Sequence, residues 1–326
     1  MPRVLIAAIS AATLMLFLGP KFIAWLRAHE VGQFVRPEGF IPDQHMQKQG
    51  TPTMGGLLIL LATALPFVIL SSRSTEAMLV LFVTLACGLI GFLDDFMKIV
   101  KKHSLGLAGK WRMLGLVAVT AVFVPVAVNV VGLPTSLTVP VADRAFEIGP
   151  YAYFVLVFFV VAAAANAVNL TDGLDGLAAG IAGIVLTCYT AIAFVGGQRD
   201  LAIFGATLVG ACIGFLWFNS FPAAVFMGDT GSYALGGAVA AMAVMTKTEI
   251  LLIVIGAVFV AEALSVIIQV IVFKRFRRRV FLMTPVHHHF EMADWTETKI
   301  IVRFWLIAAL FAAVGFTLFF RDLQGM

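Results

Sequence analysis

Apolar residues run along almost the whole chain in long segments that short polar loops separate. About 20 residues of helix are needed to cross the ~30 Å hydrocarbon core of a bilayer. Helix is the favoured state because it pairs its own backbone groups in lipid, and the strict alternation of a membrane-spanning strand is absent. The pattern predicts an all-α polytopic integral membrane protein of about ten transmembrane helices, at residues 4–26, 54–71, 77–93, 113–132, 151–166, 176–196, 201–218, 231–246, 250–273 and 300–320.

Composition narrows the class of protein further. Hydrophobic residues make up 61% of the chain and charged residues 12%, about half of the ~25% found in soluble domains. A cytosolic globular enzyme is therefore excluded, and so is a single-span receptor, because the apolar character continues from end to end. We expect residues 1–326 to form a single integral membrane domain without a nucleic-acid partner.

The distribution of lysine and arginine predicts the orientation of the chain. The odd-numbered loops hold 15 of the 22 basic residues, whereas the even-numbered loops hold four. Because positive loops remain in the cytoplasm, the odd loops are expected there and both termini outside. The fourth loop contains two short β-prone stretches, 136–139 and 145–148, and predicts a small external hairpin.

Five aspartates fall at span ends or in short loops on the predicted cytoplasmic side: Asp94, Asp95, Asp172, Asp175 and Asp229. An ion-coupled transporter would instead carry carboxylates near mid-span, facing a cavity. Carboxylates are hard oxygen ligands that suit Mg²⁺, which usually binds one or two of them together with substrate phosphate. The five acids therefore predict a magnesium site and an anionic substrate. For Asp94 and Asp95, local ion pairing with Lys98 at a helix end remains an alternative.

Two further clusters accompany these acids. Residues 169–176 combine two aspartates with two glycines before a helix, where free amides can meet an anion, although either aspartate could simply cap that helix. Residues 219–232 include Asp229-Thr-Gly, the signature of aspartic proteases. Protease chemistry needs two aspartates that share a proton, and no second Asp-Thr-Gly is present, so a protease is not expected.

The ninth loop is basic at 274–279 and continues into Pro285-Val-His287-His288-His289-Phe-Glu291. The basic stretch suits anionic headgroups, or it only holds the loop in the cytoplasm. Adjacent histidines rarely converge on one zinc ion, so hydrogen bonding to a polar ligand is the preferred interpretation. Glu262 lies near the middle of the ninth span, where an ionisable group is either functional or part of a structural pair.

These motifs resemble the phospho-N-acetylmuramoyl-pentapeptide transferase family. The similar stretches follow the family's order and occupy most of the predicted cytoplasmic loops. DDFMK and NLTDGLDG are shared with the wider group of polyprenyl-phosphate N-acetylhexosamine-1-phosphate transferases, whereas the triple histidine points to the muramoyl-pentapeptide branch. The stretches are HMQKQGTPTMGG (45–56), DDFMK (94–98), LAGKWR (107–112), NAVNLTDGLDGLA (166–178), FNSFPAAVFMGDTGS (218–232) and PVHHHFE (285–291).

The resemblance implies a magnesium-dependent transfer of phospho-N-acetylmuramoyl-pentapeptide from its UDP conjugate to undecaprenyl phosphate, giving lipid I and UMP. It implies Asp229 as the Mg²⁺ ligand, with Asp94, Asp95 and His288 as further catalytic residues. Lys48 and Lys110 would hold phosphate oxygens, and Phe226 would stack on uracil. The complete set of implied substrate-binding residues is Lys48, Thr53, Lys110, Asn169, Asp172, Gly173, Leu174, Asp175, Asn219, Phe226, His287 and His289.

The resemblance also places the protein in the bacterial cytoplasmic membrane, in contact with membrane lipid, with its active site facing the cytoplasm. The sequence does not determine the oligomeric state, and a homodimer is one possible arrangement. Two other functions stay open at this stage. A sister enzyme that uses UDP-N-acetylglucosamine would share every motif except the histidine loop, and a secondary transporter would move a solute without turning over a nucleotide sugar.

Overall fold

The computed structural model describes residues 1–29, 32, 50–101, 106–139 and 144–325. These ranges contain twelve helices and one two-stranded sheet. The elements in chain order are α1 (Pro2–Ala28), α2 (Gly56–Leu70), α3 (Thr75–Val100), α4 (Gly109–Asn129), β1 (Ser136–Val139), β2 (Arg144–Glu147), α5 (Gly149–Thr171), α6 (Leu177–Val195), α7 (Arg199–Asn219), α8 (Gly228–Met245), α9 (Leu251–Ile255), α10 (Ala257–Phe276), α11 (Val286–Glu291) and α12 (Glu297–Gly325).

The helical, polytopic architecture predicted from the apolar segments is confirmed. Each of the ten segments lies largely within helix, and eight helices of the described residues are long and apolar enough to cross a membrane. The other two segments correspond to α2 and α8. Helix α2 has 15 residues and is about 22 Å long at 1.5 Å per residue. The ninth segment divides at Gly256 into α9 and α10.

Helix α8 lies at the centre of the bundle, because every residue from Thr230 to Met245 is buried. Glycine and alanine dominate this helix and let neighbouring backbones approach closely, as in other membrane bundles. One such approach is to α3, where a Cβ added to Gly91 would lie 2.1 Å from the carbonyl oxygen of Asp229. This approach brings the end of α3 against the start of α8.

Helices α1 and α10 lie at the outside of the bundle and are buried along only a small part of their length. Their exposed side chains are large and apolar, including Ile9 and Phe17 on α1 and Ile267 and Ile271 on α10. Surfaces of this kind suit contact with lipid tails rather than water. The lipid-facing helices therefore surround a core whose central helix, α8, is rich in small residues.

The hairpin predicted in the fourth loop is confirmed as an antiparallel pair in which Leu137 faces Phe146. It is tied to the bundle by Lys247, whose Nζ donates to the carbonyl oxygen of Ser136 at 2.7 Å and pairs with Glu249 at 2.9 Å. Lys247 follows the last turn of α8, roughly 24 Å along the helix from Asp229. The hairpin and the aspartates therefore lie at opposite ends of the bundle.

Candidate functional site

Two helix ends bring three of the predicted acidic residues together at one end of the bundle. Helix α3 supplies Asp94 and Asp95 from its last turns, and α8 supplies Asp229 from its first turn. One carboxylate oxygen from each of the three lies within 4.8 Å of the others. The sequence prediction that separate loops contribute to one acidic cluster is confirmed for these three residues.

Asp95 binds the N-terminus of α8. Its Oδ1 accepts the backbone N–H of Asp229 at 3.1 Å, and its Oδ2 accepts the N–H and the hydroxyl of Thr230 at 2.9 and 2.7 Å. The first amides of a helix have no partner within the helix, and a carboxylate there also interacts favourably with the helix dipole. Asp95 therefore acts as a capping residue from another helix, and it fixes the backbone that carries Asp229.

Lys98 bridges the other two aspartates. Its Nζ lies 2.6 Å from Oδ2 of Asp94 and 2.9 Å from Oδ2 of Asp229. The ion-pair alternative raised from the sequence is thus seen between Asp94 and Lys98, one helical turn apart, but the lysine also reaches across to α8. Two carboxylates that face one ammonium differ from a protease dyad, in which two carboxylates share a proton.

Asn169, at the end of α5, orients Asp229 from the opposite side. Its Nδ2 donates to Oδ1 of Asp229 at 2.9 Å and lies at the same distance from Oγ of Ser232. Together with Lys98, this contact gives each oxygen of Asp229 a protein partner. Asp229 is therefore held in a fixed orientation at the point where α3, α5 and α8 meet.

Asp94 is connected to a polar chain that the sequence did not reveal. The backbone N–H of Leu107 donates to its Oδ1 at 2.7 Å, and the Nε of Arg112 lies 3.9 Å from the same oxygen. Arg112 also approaches the hydroxyl of Tyr233 at 3.5 Å, and that hydroxyl donates to Asn166. The sequence placed Arg112 within the LAGKWR motif, but it offered no sign that Tyr233, inside an apolar helix, belongs to the site.

The donor set fits a divalent cation. Three buried or half-buried carboxylates supply hard oxygen ligands, and magnesium typically takes one or two such groups. The ammonium of Lys98 between Asp94 and Asp229 shows where positive charge is stabilised. Asp95 is the least available ligand, because three hydrogen bonds commit its oxygens to the first turn of α8, whereas the partners of Asp229 are the side chains of Lys98 and Asn169. Asp229 and Asp94 are the residues best placed to hold Mg²⁺.

Asp172 lies in the loop between α5 and α6, near this cluster. Burial raises the pKa of its carboxyl well above the usual range, and the negative charges of Asp229 and Asp95 raise it further. Burial is the main cause of this shift, and only the smaller part that comes from the neighbouring carboxylates would be reduced by a bound cation. Asp172 therefore experiences the negative charge of the cluster, which is compatible with a cation bound at the three carboxylates.

The rest of this loop is held by neighbouring segments. Oδ2 of Asp175 accepts the N–H of Ala223 at 2.9 Å, and the amide of Gly176 donates to Asn219 at 3.0 Å. Leu174 is buried, and the backbone N–H of Asp175 donates to Glu297, a residue not singled out from the sequence. Helix α6 begins after Gly176 without a side-chain cap. The alternative that Asp172 or Asp175 only caps this helix is therefore wrong.

The segment before α2 contacts the segment before α8. The N–H of Phe226 donates to the carbonyl oxygen of Pro52 at 2.7 Å, and Thr53 is buried close to Gly228. Thr53 and Phe226 are thus brought to the aspartates, whereas Lys110 is exposed at the start of α4, near Trp111. Lys48, assigned to phosphate binding, lies outside the described residues.

The three histidines occupy α11 and have different environments. His287 is fully buried, and its Nδ1 lies 3.1 Å from Glu262 of α10. His288 is half-buried and its Nδ1 contacts Glu291, while Nδ1 of His289 accepts the N–H of Leu282 at 3.1 Å. A Cβ on Gly173 would lie 2.4 Å from His287, so the histidine loop touches the loop that carries Asp172. The structure thus joins the histidine motif to the aspartate motifs.

Comparison with known proteins identifies the same family that the sequence motifs resemble. Glycosyl transferase family 4 matches residues 77–247, and the phospho-N-acetylmuramoyl-pentapeptide-transferase signature 1 matches residues 48–60. The phospho-N-acetylmuramoyl-pentapeptide-transferase of Rubrobacter xylanophilus is 47% identical over 322 residues, which cover 97% of each chain. Proteins of the same name from Geobacillus sp. and Bacillus subtilis are 48% identical over 314 residues (95% of this chain, 96% of that protein) and 47% identical over 302 residues (91% and 92%).

Proposed function

Because this chain belongs to the phospho-N-acetylmuramoyl-pentapeptide transferase family, we propose that its acidic cluster is the catalytic centre of that reaction. The enzyme transfers phospho-N-acetylmuramoyl-pentapeptide from its UDP conjugate to undecaprenyl phosphate, and the products are lipid I and UMP. The observation that carries the proposal is the convergence of Asp94, Asp95 and Asp229 with the histidine loop at one end of a membrane bundle. One substrate is water-soluble and the other is a lipid, which suits a site at the end of membrane helices.

Mg²⁺ is proposed as the cofactor, held by Asp229 with assistance from Asp94. When bound, the ion neutralises the diphosphate of the donor and stabilises the departing UMP. The support for this assignment is the set of hard oxygen donors and the raised pKa of Asp172 beside them. Lys98 keeps Asp94 and Asp229 facing each other before substrate arrives.

The protein contributes mainly positioning to this transfer. Asp95 fixes the first turn of α8, and Asn169 orients the carboxylate of Asp229. The acceptor phosphate needs little activation, because a phosphate monoester with a second pKa of roughly 6 is already largely dianionic near neutral pH. We therefore favour direct attack by the lipid phosphate on the donor. A phospho-sugar attached to an aspartate in the absence of acceptor would contradict this course.

The donor is proposed to bind between the segments that converge on the cluster. Asn169, Asp172 and Gly173 would face its nucleotide, and Phe226 would stack on uracil. Lys48, Thr53 and Lys110 are proposed for the phosphates and the adjoining polar groups, while His288 and His289 would contact the sugar-peptide. Leu174, Asp175, Asn219 and His287 are buried or nearly so, and they support the pocket by holding its loops.

The whole chain is proposed to act as one domain of the bacterial inner membrane, with both termini outside and the catalytic end in the cytoplasm. The alternating spans and the excess of basic residues in the odd loops support this orientation. A homodimer is compatible with this arrangement and remains a proposal. The donor is made in the cytoplasm, so the reaction requires this orientation.

The direct experiment uses the purified full-length protein in detergent with UDP-N-acetylmuramoyl-pentapeptide, undecaprenyl phosphate and Mg²⁺. We expect mass spectrometry to detect lipid I and UMP in equal amounts. EDTA should abolish turnover, and added Mg²⁺ should restore it. Undiminished turnover in EDTA would remove the metal from the proposal, and the absence of lipid I under all conditions would overturn the function itself.

A further inference from the structure

Glu262 is a carboxylate in the interior of α10, and the proposed chemistry does not use it. Its side chain is 0% exposed, although α10 is otherwise largely open to lipid. An ionisable group at this depth is costly unless it has a polar partner. Its presence therefore requires an explanation in terms of the groups that it faces.

The partner of Glu262 is His287, 25 residues further along the chain. Nδ1 of His287 lies 3.1 Å from Oε1 of Glu262, and the backbone N–H of His287 donates to Oε2 at 3.4 Å. The His287 side chain is also 0% exposed. One carboxylate thus lies against the ring of the residue that begins the histidine motif and accepts its backbone N–H.

The opposite edge of the His287 ring faces the loop between α5 and α6. A Cβ added to Gly173 would lie 2.4 Å from Nε2 of His287 and 3.3 Å from Nε2 of His288. The rings of His287 and His288 are themselves 4.1 Å apart. His287 therefore lies between the intramembrane carboxylate and the loop that carries Asp172, with His288 beside it.

We propose that Glu262 is a positioning residue for the transfer reaction, and that it acts through His287 to set the arrangement of His288 and the Gly173 loop. His287 is too deeply buried to serve as a ligand itself, so its function is to transmit this constraint. Carboxylates that orient a metal-ligating histidine typically contribute about 10- to 100-fold to metal affinity or activity, and we expect an effect of the same order here. The inference rests on the proposed location of the active site.

The test compares Glu262→Gln with the matched control Glu249→Gln in the purified enzyme. Glu249 is also a buried carboxylate with a basic partner, Lys247, but it lies at the opposite end of the bundle. We expect Glu262→Gln to lower kcat/KM for the UDP donor by about 10- to 100-fold. The KM for undecaprenyl phosphate and the melting temperature should match those of the control, whose kcat/KM should equal that of the wild type.

The combination with His287→Asn separates positioning from general stability. If Glu262 acts through His287, Glu262→Gln should have little further effect in the His287→Asn background, because residues in one contact are not additive. Should Glu262→Gln fold poorly, His287→Asn tests the same contact from the loop side and should show the same loss in kcat/KM for the donor. Full activity of both single variants, or additive losses in the double variant, would overturn the inference.

The proposed function and this inference fail in different ways. A wild-type enzyme that makes no lipid I would refute the function, whatever the behaviour of the variants. A wild-type enzyme that makes lipid I, together with a fully active Glu262→Gln variant, would refute only the positioning role. Both results come from the same assay.

Discussion

At the scale of the residue, the three clustered aspartates have different partners and are expected to do different work. Asp95 gives both its oxygens to the first turn of α8, whereas Asp229 is held through Asn169 and Lys98. Adjacent acidic residues after an apolar segment predict a site, but they do not predict which acid caps α8 and which remains available to a ligand. The roles differ because only one of the two adjacent carboxylates reaches the start of α8. The close contact of Gly91 with the backbone of Asp229 sets that geometry, and a pattern of residue types cannot reveal it.

Asp229→Asn is expected to lower turnover by about 10²-fold or more, as the loss of a main electrostatic stabiliser does. The amide removes the negative charge that would hold Mg²⁺ and that pairs with Lys98. Steady-state kinetics with UDP-N-acetylmuramoyl-pentapeptide measure the effect. The control is Asp200→Asn. The carboxylate of Asp200 accepts the backbone amides of Ser72 and Ser74, which lie just before the start of α3, whereas Asp94 lies near its end. Wild-type turnover by Asp229→Asn would remove this residue from the metal site.

At the scale of the element, the number and order of the apolar helices follow from the apolar pattern, and the hairpin follows from its β-prone stretches. Some boundaries differ, because α3 continues to Val100 and the ninth segment divides at Gly256. The sequence did not predict that α8 would be enclosed over nearly its full length. A helix rich in alanine and glycine is compatible with either a lipid-facing or a tightly packed position. Which position it takes depends on the helices that pack against it. The contact between α11 and the Gly173 loop likewise depends on packing between segments more than 100 residues apart.

The histidine loop yields a prediction at this scale. His288 is half-buried and contacts Glu291, so His288→Ala should cost activity more than folding. We expect a clear loss of kcat with a melting temperature close to that of wild type. Met292→Ala, an exposed neighbour on the same segment, is the control and should change neither quantity. An equal loss of stability and activity in His288→Ala would make this histidine structural.

At the scale of the whole molecule, the bundle separates two ends of different character. One end gathers the acidic cluster, the Gly173 loop and the histidine motif, and the other carries the hairpin held by Lys247. This separation can be predicted from the sequence, because successive loops between the apolar segments alternate between the two ends of the bundle. Lys48 and Lys102 belong to the loops expected at the acidic end and lie outside the described residues.

The orientation predicts the labelling of the intact membrane protein. A reporter after Gly325 should behave as external, and one inserted at Lys102 should behave as cytoplasmic, because the odd loops carry most of the basic charge. Fusions read in whole cells measure both positions. The reverse pattern would place the acidic cluster on the side that holds no nucleotide sugar, and the site assignment would fail.

The central claim is the reaction itself, and the choice of donor tests it most directly. The purified enzyme is given undecaprenyl phosphate and Mg²⁺ with UDP-N-acetylmuramoyl-pentapeptide or UDP-N-acetylglucosamine, and the lipid product is identified by mass. The histidine loop and its basic neighbours suit a sugar with a peptide arm, so we predict that the muramoyl-pentapeptide donor is turned over far better. Equal rates, or a preference for UDP-N-acetylglucosamine, would contradict the account.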